Sequence, residues 1–92
     1  MRVRLFAGLR AIVGHATIEV ELAPGATLSD LIDRLAALHP DLAPELFDEA
    51  GALSRHINLI VDGRSAAHLP QHLATPLTTQ EEIHIFPAVA GG

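Results

Sequence analysis

The 92 residues of this chain suffice for one hydrophobic core and are too few for a catalytic domain beside a binding domain. Hydrophobic residues make up 49% and charged residues 18%, with a mean hydropathy of +0.32, so the composition is that of a folded domain and not of a disordered segment. Cysteine, tryptophan, tyrosine and lysine are all missing, and the six basic residues are all arginines, which excludes disulfides, thiolate nucleophiles, cysteine zinc sites, Schiff bases and a P-loop lysine.

The formal net charge is −5, and Arg2, Arg4, Arg10, Arg34, Arg55 and Arg64 are dispersed. Phosphate neutralisation needs a clustered basic face, so nucleic acid is not an expected partner. The start lacks the long apolar run of a signal peptide, and no segment reaches the roughly 18 apolar residues of a membrane span. A soluble cytoplasmic protein without a membrane partner is expected.

In chain order, residues 2–7 alternate, with Val3, Leu5 and Ala7 on one face and Arg2, Arg4 and Phe6 on the other. Residues 17–22 set Ile18, Val20 and Leu22 against Thr17, Glu19 and Glu21. An antiparallel hairpin across the 8–14 connection would bring arginines and glutamates together on the solvent face. A turn at Ala23-Pro-Gly-Ala leads to Thr27, which stands three residues before Asp30 as an approximate capping box. Leu28, Leu31, Ile32, Leu35 and Leu38 follow at helical spacing, so the main helix is predicted to run until about His39, where Pro40 stops it. Residues 41–53 read as a connection with one helical turn at 44–47. Ile57 to Val61 is β-rich and closes on Asp62-Gly63, a hairpin signal, with a short strand over 64–67. Residues 68–76 read as irregular, and 82–86 as a last strand with Ile83 and Ile85 inward.

These elements predict an α+β layer, a mixed sheet covered by one main helix, with residues 1–86 as the domain and 87–92 as a flexible tail. If the first strand lies beside the last, Phe6 and Phe86 face away from the helix, and Ile60 of the third strand joins them. The three form either a partner-binding patch or scattered exposed hydrophobes.

The tail is the sharper feature. Two terminal glycines arise by chance in roughly 0.5% of chains, and a plain flexible terminus is the alternative reading. Pro87 stiffens the exit from the last strand, and Val89, Ala90, Gly91 and Gly92 then fall in bulk. Six extended residues reach roughly 20 Å. Glycines without Cβ let the main chain pass a narrow channel, so the Gly92 carboxylate can enter a partner's active site and be activated there as an acyl-adenylate.

On these residues the chain resembles the ThiS/MoaD family of ubiquitin-like sulfur carriers. Phe86-Pro-Ala-Val-Ala-Gly-Gly is similar to the family's ending, and Phe6, Ala7, Arg10 and Gly14 to the MoaD-type first strand and loop. The stretch 46–61 and the tail resemble CysO-type carriers. Ala88 and Thr79-Gln80-Glu81 depart from the common second proline and Asp-Gly-Asp turn. The resemblance implies a β-grasp fold and a MoeB/ThiF-like adenylating enzyme that uses Mg-ATP, with no cofactor bound by this chain. A thiocarboxylate at Gly92 would follow, with Gly91 threading the channel. It further implies a non-catalytic small subunit of molybdopterin synthase beside a MoaE-like large subunit as the leading reading. A sulfur donor to a PLP-dependent cysteine synthase, and a ubiquitin-like protein modifier, are the alternatives.

Other candidates carry less. His68 and His72 have the i, i+4 spacing of helical zinc ligands, but Pro70 stands between them and no cysteine completes a set, so no metal site is expected. Ser29, Ser54 and Ser65 lack a nucleophile-elbow setting. Asp48-Glu49 and Glu81-Glu82 read as solvated loops.

Overall fold

A computed structural model describes residues 1–78 and 80–87. The elements are β1 (Arg2–Leu5), α1 (Gly8–Val13), β2 (Thr17–Glu19), α2 (Leu28–Leu38), α3 (Ala43–Leu46), β3 (Ile57–Val61), β4 (Arg64–Ser65) and β5 (Ile83–Pro87). The five strands form one mixed sheet in the order β2-β1-β5-β3-β4. Strand β1 pairs antiparallel with β2, Arg2 opposite Glu19, and parallel with β5, Arg4 opposite His84. On the other flank β5 pairs antiparallel with β3, Ile60 opposite His84 and Asn58 opposite Phe86.

Alternation along the central strands turns Val3, Leu5, Ile83 and Ile85 inward, each no more than 1% exposed. Helix α2 covers this face with Leu28, Leu31, Ile32 and Leu35, all in the same buried cluster. The helix starts where the sequence places it: Thr27 Oγ1 accepts from the Asp30 backbone N–H at 3.2 Å, and the Asp30 carboxylate accepts from the Thr27 N–H at 2.9 Å. It ends with His39 as C-cap. A mixed sheet with one main helix across it is the α+β, β-grasp arrangement expected.

The Asp62-Gly63 turn is also as read, with φ of 49° and 83°. Both central residues of a type I′ hairpin turn require positive φ.

Several local expectations are corrected. The 8–14 connection folds as α1, which buries Leu9 and closes on Gly14 in the left-handed region at φ 87°. Ala7 is exposed and has φ 52°, so it leaves the strand and does not extend the inner face. Leu38, expected on the apolar stripe, is 44% exposed, at the last position of α2. The helical turn expected at 44–47 is present as α3, one residue earlier, but it is entered through an unforeseen 3₁₀ turn (Pro40–Leu42), and the two bury Leu42 and Leu46. Strand β4 stops at Ser65, whose hydroxyl accepts from the Ala67 N–H at 3.3 Å and starts another 3₁₀ turn (Ala66–His68). A third such turn (His72–Ala74) precedes a bridge between Pro76 and Thr27. Pro87, expected to open the tail, is the last residue of β5 and pairs with Ile57.

Candidate functional site

The sheet face opposite α2 holds the expected patch residues. Strand alternation sends Arg2 and Arg4 of β1 outward, His84 and Phe86 of β5 outward, and Asn58 and Ile60 of β3 outward. Phe6 lies just past β1, yet its N–H donates to the Ile85 carbonyl at 3.2 Å, which extends the β1–β5 pairing by one step. That bond sets Phe6 beside Phe86. Their rings stack at 4.1 Å between centroids with 12° between planes, close packing for an aromatic pair.

Ile60 sits on the same face, in register with His84 on the adjoining strand. Phe6, Ile60 and Phe86 are each half-buried. The three residues therefore share one face of the sheet, each partly exposed on it.

Two polar residues complete this face that local sequence pattern did not single out. The His84 ring lies 5.4 Å from Phe6 and 6.3 Å from Phe86, on the strand position paired with Ile60. Its Nε2 is 2.9 Å from Glu82 Oε1. That hydrogen bond holds the exposed Glu82 carboxyl below its ordinary range, helped by the charges of His84, Arg4 and Arg2 and opposed by partial desolvation. The Glu82 N–H donates to Asp62 Oδ1 at 2.8 Å, tying the start of β5 to the β3–β4 hairpin. The Arg4 guanidinium stands 5.5 Å from the Phe6 centroid, a cation–π contact. A signal for both lay in the alternation itself, since His84 occupies the outward slot between Ile83 and Ile85. What was missing was the β1–β5 register that sets it beside Arg4.

Among the described residues, no group of three His, Asp or Glu side chains is placed to hold a metal. His68 and His72 fall on separate 3₁₀ turns. The Ser54 and Ser65 hydroxyls accept backbone hydrogen bonds from His56 and Ala67. No buried polar or charged side chain occurs among the described residues, and no described helix is long and apolar enough to cross a membrane. The tail positions Val89, Ala90, Gly91 and Gly92, with Ala88 and Thr79, lie outside the described residues.

Residues 3–92 match the ThiS family. Small archaeal modifier protein 1 of Haloferax volcanii is 35% identical over 92 residues, covering 100% of both chains. Small archaeal modifier protein 3 of the same organism is 34% identical, covering 100% of this chain and 98% of its own. The crystal structure of the first superposes with a TM-score of 0.88 over 100% of this chain and 98% of that one. CysO in the Amycolatopsis orientalis BexX/CysO complex is 28% identical, with a TM-score of 0.79 over 99% and 98%. A family match over almost the whole length, on a five-stranded grasp around one helix, makes this chain a member of the ThiS family of ubiquitin-like β-grasp proteins.

Proposed function

We propose that this chain is a ubiquitin-like protein modifier, joined through the Gly92 carboxylate to amines of other proteins. The observation that carries the reading is the end-to-end match, 35% identical, with a protein named as a modifier. We rank the modifier ahead of the molybdopterin-synthase subunit, which is supported by the resemblance of the first strand and loop and by a lower identity, 27%, to a Pyrococcus furiosus protein named "Putative molybdopterin converting factor, subunit 1".

The chemistry follows from the reactant. A carboxylate is a poor electrophile, and a MoeB/ThiF-like enzyme with Mg-ATP would convert Gly92 to an acyl-adenylate with release of pyrophosphate. A lysine amine on the target, directly or through an enzyme thioester, then displaces the activated carbonyl's leaving group and forms an amide. This chain's part is to present the terminus and the docking face, with ATP bound by the partner. Val89 to Gly91 would pass through the enzyme's channel, and Phe6, Ile60 and Phe86 would seat the enzyme.

The likeness to CysO favours a second reading that shares the first step. A sulfur donor in place of an amine would displace AMP and leave a thiocarboxylate, to be passed to a cysteine synthase or a MoaE-like subunit.

Intact-mass analysis after incubation with the adenylating enzyme of the same genome, Mg-ATP and a cell extract, with and without a sulfur source, separates the readings. Lasting amide adducts through Gly92 support the modifier. A product in which sulfur replaces one oxygen, without adducts, favours the carrier. Wild-type behaviour of a chain lacking Gly91 and Gly92 would overturn both.

A further inference from the structure

The outward face of β1 and β5 carries Arg2, Arg4 and His84, and two of the three already face a carboxylate. Arg2 Nε lies 3.8 Å from Glu19 Oε1 across the β1–β2 pair, and His84 Nε2 lies 2.9 Å from Glu82 Oε1. Arg4 differs. Among the described residues no carboxylate lies within ion-pair distance of it, and no hydrogen bond engages its guanidinium. Glu82 feels its charge only from beyond that distance.

Arg4 is also the cation that a docking partner cannot avoid. Its guanidinium stands over Phe6, and Phe6 is stacked on Phe86. A surface that covers the stack therefore strips water from Arg4 as well. Desolvating a charge without a partner is costly, whereas a carboxylate meeting the free edge of a ring-stacked guanidinium makes a charge-assisted, bidentate contact. Arg4 is exposed while in cation–π contact with Phe6, so its guanidinium remains available to such a carboxylate.

We infer that the protein partner covering the Phe6–Phe86 stack places an Asp or Glu carboxylate against Arg4, inside an otherwise apolar seat. This rests on the docking role given to the face above, and it names what the seat must contain. The chain's net charge of −5 repels an acidic surface in general. One carboxylate at this one point then fixes register more than it adds attraction. His84 and Glu82 satisfy each other and need nothing from the partner, and the β3 positions on this face, Asn58 and Ile60, are uncharged.

The test uses the full chain and the adenylating enzyme of the same genome, with calorimetric Kd values at low and high salt and ATP–pyrophosphate exchange as the activity readout. Arg4 is exposed, so its variants should keep the wild-type melting temperature. Arg4→Ala should weaken binding roughly 30-fold or more, Arg4→Glu further, and Arg4→Lys should recover part of the loss. Reversing the matching acidic residue of the enzyme to Arg should restore Arg4→Glu. If Arg4→Ala and Arg4→Glu bind like wild type with unchanged salt dependence while Phe86→Ala weakens binding, the inference fails and the docking role stands. If Phe86→Ala is also silent, or if this face instead closes on a second copy of the chain in sedimentation, the inference fails together with the docking role.

Discussion

Glu82 shows how one side chain couples the outward sheet face to pH. Its carboxyl is held below its ordinary value of about 4.5, first by the hydrogen bond to His84. A depressed folded-state value means that the pair's stabilisation is present above the unfolded value and lost as pH falls through the folded one. Melting followed from pH 6 to pH 3 should therefore drop more gently in Glu82→Gln than in wild type below about pH 4.5. Equal slopes would show that the bond adds no folded-state preference. At this scale the sequence was partly legible. Alternation put Phe6, Ile60 and Phe86 on one face once the first strand was assumed to lie beside the last. The contacts of Arg4 and His84 with Phe6 were not, because they depend on the register between the first and last strands, which no local pattern encodes.

Elements were legible where they were long or carried a turn signal. Helix α2 announced both ends, through Thr27 with Asp30 and through Pro40, and the Asp62-Gly63 hairpin follows from the two positive φ values it needs. Removing the cap should be measurable: Thr27→Ala is expected to destabilise the fold by about 1 kcal/mol, within a range of about 0.5–2. In a domain of this size that lowers Tm by roughly 4–8 °C in a calorimetric scan, and an unchanged Tm would mean that Asp30 caps the helix alone. Helix α1 was not legible. Its six residues are under two turns, too few for a period to show, and only Leu9 is buried to mark it. Leu42 and Leu46 were missed for a related reason: short turns bury single residues without a repeating stripe.

For the whole molecule, composition constrains the products of its chemistry. With no lysine in the 92 residues, the chain can be a donor in conjugation but offers no side-chain amine as an acceptor. Conjugates should carry one copy at each target lysine, and intact-mass spectra should show no ladder of this chain linked to itself through side chains. Such a ladder would require another nucleophile, a serine or threonine hydroxyl among them. The α+β class and the single core were readable from length and alternation. Strand order was not, since the parallel pairing of β1 with β5 is a long-range fact.

That pairing has a consequence for how the molecule comes into being. Strand β5 follows the other four described strands in sequence and is the middle strand of the sheet, between β1 and β3. Until it arrives, the β1–β2 and β3–β4 pairs have no shared edge, and the long loop from β1 to β5 must close before the β1–β5 contacts can form. During synthesis, then, the two hairpins wait unjoined. A chain interrupted before residue 83 cannot assemble the five-stranded sheet, and it also lacks the His84 and Phe86 half of the outward face. Folding is thus a test of synthesis through β5: only molecules that already have the strand leading to Gly92 can bring Phe86 onto Phe6.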